Sequence, residues 1–199
     1  MHNPGEHDIE TFSGAFVDTR LPQQETIDLK DVAHGLALTC RFGGQCANFY
    51  SVAEHAVLCA RYARDEGWDL PEQLACLHHD DAEAFLGDIP RPMKSLLGAG
   101  YRRMTDKMDA AIIQALGLPF GVEALHSPEV KEADNWALLQ EARELLPSKG
   151  EGWGGQACNW GLDMEAHKTA PTDWAFGLTW RAAEGLWLRT HRDLMKDLA

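Results

Sequence analysis

Residues 77–94 read LHHDDAEAFLGDIPRPMK. His78, His79, Asp80, Asp81 and Glu83 crowd its first half, and Asp88, Pro90 and Pro92 follow at once. How this stretch is read decides the fold. Asp69-Leu-Pro-Glu72 just before it has the acidic N-cap and the glutamate three residues on that open a helix. That helix is expected to carry LACLHHDDAEAFL and to stop near Gly87, with Pro90 and Pro92 preventing its continuation. Positions three and four apart share a helix face, so His79, Asp80 and Glu83 group together. His78 and Asp81 turn away.

The rest of the chain reads the same way. Residues 29–40 have Val32, Leu36 and Leu38 on a helical period behind Asp28 as N-cap. Ser51-Val-Ala-Glu54 is a capping box opening a helix to about residue 65. Residues 101–116 form another, closed by Gly117. Ser127-Pro128 starts one that runs to about 146. Residues 147–170, glycine-rich with Trp153 and Trp160, read as a long loop, and an amphipathic helix is expected over 173–197. Residues 10–27 lack helical periodicity and are expected to be extended or to form a short hairpin. The expectation is one all-α domain over 1–199, a helical bundle of five or six helices with an extended lead-in and a C-terminal helix.

Composition narrows the classes. Hydrophobic residues are 45% and charged residues 25% of 199, an ordinary globular balance. No apolar run approaches the ~18 residues a bilayer span needs. The opening MHNPGEHDIE lacks a basic segment followed by an apolar one, so a cytoplasmic location is expected. The net charge of −13 argues against duplex nucleic acid, where phosphate neutralisation supplies most of the affinity. The cysteines are 40, 46, 59, 76 and 158, an odd set without a CxxC pair, and are expected to be reduced thiols. Cys59 and Cys76 read as small core side chains.

An imidazole and a carboxylate on one helix can supply two ligands to a divalent ion, and Glu83 nearby could orient or deprotonate a water. Other ligands must come from elsewhere. His55 lies one turn into the helix opened by Ser51, and Asp134 sits mid-helix among Lys131, Ala137 and Leu138.

The joint pattern His55, His79-Asp80, Asp134 resembles the H…HD…D signature of the HD-domain metal-dependent phosphohydrolases. CRFGG at 40–44, FYSVAEHA at 49–56 and HDDAEAFLGDIPRPMK at 79–94 resemble two branches of that superfamily: bacterial 5′-deoxynucleotidases and phage-type hydrolases that strip triphosphate from dATP. The resemblance covers roughly residues 10–145. It implies His55, His79, Asp80 and Asp134 as ligands of a divalent metal (Mn, Co, Zn, Fe, Ni or Mg). It implies Glu83 and Asp88 as the acid/base pair, and Arg41 and Lys94 on phosphate oxygens. The implied activity is a deoxynucleoside triphosphohydrolase acting on dATP, with a deoxynucleoside-monophosphate 5′-nucleotidase as the alternative and a non-catalytic nucleotide sensor as a further one. It also implies a homo-oligomer, in the host cytoplasm if the chain is phage-encoded.

For the base and sugar, Phe16, Gly43 and Gly44 are the expected pocket residues, the glycines because they allow close backbone approach. Phe12 and His34 are expected to pack. Trp153 and Trp160 either cover the site or anchor their loop.

Overall fold

The computed structural model describes residues 5–151, 153 and 170–198. A short antiparallel hairpin, β1 (Asp8–Glu10) and β2 (Phe16–Asp18), pairs Ile9 with Val17 and leads into the helices. Its turn is fixed to the first helix, since the Ser13 backbone N–H and hydroxyl both donate to the buried Asp31 carboxylate, at 2.8 and 2.7 Å.

The helices are α1 (Leu29–Leu38), α2 (Val52–Asp65), α3 (Leu70–His78), α4 (Glu83–Leu86), α5 (Arg91–Leu116), α6 (Pro128–Leu145) and α7 (Trp180–Leu198). Helix α2 is central and packs on α1, α3, α6 and α7. Most of its side chains are buried, because apolar and small residues surround it on every side. Its capping box is complete: Ser51 and Glu54 satisfy each other's backbone N–H. The same Glu54 carboxylate accepts the N–H groups of Gly177 and Leu178, at 3.0 and 2.8 Å, and so pins the approach to α7. Those residues therefore stay outside the last helix, which begins at Trp180 rather than near 173. Helix α1 crosses α4 at Gly35, where a Cβ would stand 2.5 Å from the Ala84 carbonyl oxygen, so only glycine fits.

Two further helices differ from the sequence reading. The helix opened by Asp69 ends at His78, a turn covers 79–82, and α4 is a separate short piece. In the turn the Glu83 and Ala84 N–H groups reach only three residues back, to Asp80 and Asp81, while His78 is tied to Asp81. The ladder is overwound there, not continued. Helix α5 begins at Arg91, ten residues before the expected start. Pro90 is its N-cap and Pro92 lies in its first turn, where proline loses no hydrogen bond. The break that hides this helix is Gly98, at φ 63° and ψ −147°. Lys94 therefore rides on the first turn of α5.

Candidate metal centre and anion cavity

His55 comes from α2, His79 and Asp80 from the turn after α3, and Asp134 from α6. Each imidazole is oriented by its other nitrogen. His55 Nδ1 faces Glu141 Oε1 at 2.6 Å, and His79 Nδ1 faces the Cys76 carbonyl at 2.8 Å. With Nδ1 donating in both rings, both Nε2 lone pairs are free. They point at each other, 3.2 Å apart. Two acceptors at that distance repel unless a proton or a cation lies between them. Asp80 Oδ2 adds a third donor atom, 3.3 Å from His79 Nε2 and 3.6 Å from His55 Nε2. Asp134 Oδ1 adds a fourth, 3.4 Å from His55 Nε2. Donors at about 2.0–2.2 Å from a tetrahedral ion stand roughly 3.3–3.6 Å from one another, so this spacing fits a divalent metal.

His55, Cys59 and His79 form a group whose ligand atoms all lie within 4.8 Å, a set able to hold a metal ion. The thiol stands 3.6 Å from Nε2 and 3.9 Å from Nδ1 of His55, against the ring and not along its free lone pair. Burial, aided by Asp134, pushes that thiol well above its ordinary range. Cys59 is thus the packed side chain the sequence suggested.

A cavity of about 270 Å³ opens beside this cluster. Arg41, Asp80, Asp88, Arg91, Lys94 and Asp134 give it charge, and Phe42, Ile89, Pro90, Pro92, Leu138 and Trp153 give it apolar walls. Each cation is held by acids. Arg41 is buried and donates from Nε to Glu141 at 3.1 Å and from Nη1 to Asp80 at 3.5 Å. Arg91 bonds Asp134, and Lys94 donates to Glu83 at 2.7 Å. Around these three cations stand the carboxyl groups of Asp80, Asp88, Asp134, Glu83 and Glu141.

Titration follows from that crowding. Burial pulls His79 down, but Asp80 and Asp134 beside it carry it up to about 9. Burial raises Asp80 and Asp134, yet His79 holds the first, and His55 with Arg91 the second, below the ordinary carboxylate range. Glu83 goes the other way. Burial and then Asp80 push it up to about 8, against the pull of Lys94. Its Oε2 is buried without a hydrogen-bond partner.

Of the expected base and sugar residues, Gly43 sits beside Pro90 at the rim, at φ 59°. Phe16 lies on β2 opposite Glu10, and Gly44 faces open space; neither lines the cavity. The hairpin is drawn to α1 by Ser13 and Asp31 and so is held off the site. Phe12 is exposed and stacks on His34, with centroids 3.9 Å apart, and His34 packs edge-on to Trp180. Trp153 lines the cavity and packs with Phe42 on Leu138 and Leu139, while Trp160 and Cys158 fall outside the described residues.

The sequence reading passed over Glu141 and Arg91. Glu141 carried a signal: Asp134, Leu138 and Glu141 repeat at four and three residues on one face of α6. Arg91, between two prolines, had none. His78 is also more than a bystander. It is buried, its Nδ1 faces Asp81 at 2.6 Å, and its Nε2 faces His191 of α7 at 3.0 Å.

A mostly helical fold built round a metal-capable histidine cluster defines the class structurally. No family model matches the chain. It belongs to the family of YfdR, an uncharacterized protein of Escherichia coli strain K12, with which it is 40% identical over 147 residues, 73% of this chain and 76% of YfdR. An uncharacterized protein of Rhodobacter capsulatus is 36% identical over 141 residues, 67% of this chain and 70% of that protein.

Proposed function

We propose that this chain is a metal-dependent phosphohydrolase of the HD-domain type acting on deoxynucleotides, and that it removes triphosphate from a deoxynucleoside triphosphate, with dATP the preferred substrate. The observation carrying this reading is the convergence of two imidazole lone pairs and two carboxylate oxygens at 3.2–3.6 Å on a cavity that also holds Arg41, Arg91 and Lys94. His55, His79, Asp80 and Asp134 would hold a divalent ion, which supplies Lewis acidity and lowers the pKa of water. Neutralising Asp80 and Asp134 frees Arg41 and Arg91 to turn to phosphate oxygens, which the guanidinium fork fits. Lys94 adds a point charge. Glu83, raised to about 8, holds or releases a proton near neutral pH, as a general acid or base must. Asp88 lines the same cavity and is its partner in this role. The apolar walls exclude water and face the nucleoside.

One observation favours a second reading. A cavity of about 270 Å³ is small for such sites, which suits a deoxynucleoside monophosphate and 5′-nucleotidase activity. Three cations suit the longer phosphate chain. Incubation of the purified protein with deoxynucleoside mono-, di- and triphosphates and Mn²⁺, Co²⁺ or Mg²⁺, followed by product separation, decides between them. Intact triphosphate released from dATP supports the preferred reading. Turnover of monophosphates alone supports the second. Nucleotide binding without turnover under any metal leaves a sensor and overturns both.

A further inference from the structure

We propose that Cys40 and Cys46 are a reversible dithiol–disulfide pair, oxidised by hydroperoxides, and that closing the disulfide draws Arg41 out of its buried seat in the anion cavity. Their sulfurs are 3.7 Å apart, and both side chains are half-buried, in contrast to the buried Cys59 and Cys76. A disulfide needs about 2.05 Å between sulfurs, so closure asks for a shift of under 2 Å.

The connecting segment can supply that shift. Phe42, Gly43 and Gly44 all have positive φ, at 58°, 59° and 77°, and Gly43, Gly44 and Gln45 are exposed. The flanks are fixed: Cys40 bridges Ser51, the Arg41 N–H donates to the Tyr50 carbonyl at 2.9 Å, and the Ala47 N–H donates to the Leu145 carbonyl at 2.8 Å. A thiol pair thus closes a short loop between anchored ends, and Arg41 lies inside it, next to Cys40. Forming the bond removes the contact of the Cys46 thiol with the Asn48 carbonyl, at 3.0 Å, and loads the strain on the backbone of Arg41 and Phe42. Phe42 already occupies a conformation that a side chain adopts at a cost.

The chemistry balances in two steps. Cys40 thiolate attacks a hydroperoxide, takes one oxygen to become sulfenic acid, and the other oxygen leaves as water or alcohol. The Cys46 sulfur then displaces hydroxide from the Cys40 sulfur, the S–S bond forms, and water leaves. Two thiols lose two hydrogens and two electrons, and the hydroperoxide is reduced. Burial and the neighbouring Cys40 thiol push Cys46 up to about 11, so Cys46 does not start the reaction. Once Cys40 is oxidised, its thiol no longer opposes ionisation of Cys46.

The consequence for substrate rests on the proposed function, since Arg41 matters to an anion only if the cavity takes one. The test does not. Cys158→Ser protein is treated with hydrogen peroxide, digested without reduction and mapped by mass. The expected product has lost two hydrogen masses, links Cys40 to Cys46, and reverts with dithiothreitol. In Cys46→Ser the reaction should stop at a Cys40 sulfenic acid that dimedone traps. Cys40 and Cys46 thiols of the Cys158→Ser protein that stay reduced, or that go to sulfinic acid without a bridge, overturn the pair. Phenylglyoxal then reads the second half of the proposal. Arg41, 7% exposed, should be protected in the reduced protein and modified at least tenfold faster in the oxidised one. Equal protection in both states overturns the link to Arg41, whatever the protein turns over.

Discussion

Adjacent residues at the end of α3 build two polar clusters that differ in one respect. His78 faces inward to Asp81 and His191, and its ring packs edge-on to Trp187, 5.1 Å between centroids. Both of its nitrogens are engaged. His79 faces the other way, and its Nε2 meets His55 Nε2 at 3.2 Å and Asp80 Oδ2 at 3.3 Å, while Asp134 Oδ1 closes on His55 Nε2 at 3.4 Å. In the first cluster both nitrogens of His78 have protein partners, while Asp81 Oδ1 is buried without one. The second brings two imidazole nitrogens and two carboxylate oxygens together at 3.2–3.6 Å, which a proton on His79 or a metal cation satisfies. Buried polar groups are normally hydrogen-bonded. Four ligand-type atoms converging at metal-ligand spacing therefore set the second cluster apart, whereas burial and charge, which both clusters share, do not.

The sharpest way to break this contrast is to remove one member of each cluster. His79→Ala or Asp80→Ala should abolish metal retention, measured by calorimetry or by metal content after dialysis, and turnover with it. His78→Ala should keep its metal and lose stability, by about 3 kcal/mol in urea unfolding, because Asp81 is left buried without its partner. A His78→Ala protein that is stable and metal-free would reverse the assignment.

Next in size is proton transfer. Glu83→Gln should keep metal content near that of the wild type and lose about 10²- to 10⁴-fold in rate. A Glu83→Gln protein that loses metal as Asp80→Ala does would make Glu83 a ligand. Smaller again is the carboxylate behind His55. Glu141→Gln should weaken metal binding by about 10- to 100-fold, since it orients the His55 ring and also holds Arg41. Unchanged affinity would show that the His55 tautomer is set by something else.

The contrast also shows what could be read from the sequence. The starts of α2, α3 and α6 were legible because each is set by neighbours: Ser51 with Glu54, Asp69 with Glu72, and Ser127 with Pro128. The acids and histidines that converge were legible as residue types. Their geometry was not. Helical spacing put His79, Asp80 and Glu83 on one face, but the helix stops at His78, and a tight turn places them. In that turn His78 is held by Asp81 and by His191, 113 residues away, which no local pattern announces. The start of α5 was hidden by Gly98, whose positive φ breaks the helix. Phe16 was expected in the pocket, but Ser13 and Asp31 anchor its hairpin elsewhere.

The His78 cluster makes one further, smaller prediction. Burial, followed by the nearby His78 and Arg192, lowers His191 from its ordinary 6.5 to about 4. A group whose folded pKa lies below its unfolded one binds its proton more weakly in the native state. Below about pH 6.5 the unfolded chain takes up that proton and the folded protein does not, so stability falls as pH drops from about 6.5 to about 4 and levels off below that. The expected loss is about 1–2 kcal/mol across the window. Urea unfolding at pH 7.5 and pH 5 should show this loss in the wild type and a smaller one in His191→Gln, which keeps a polar side chain towards His78 but does not titrate. The metal-free protein is the right material, because metal release on acidification would add its own pH dependence. If both proteins lose the same stability between the two pH values, the sensitivity lies in the His55–His79 cluster instead, and His191 is only a packed hydrogen-bond partner.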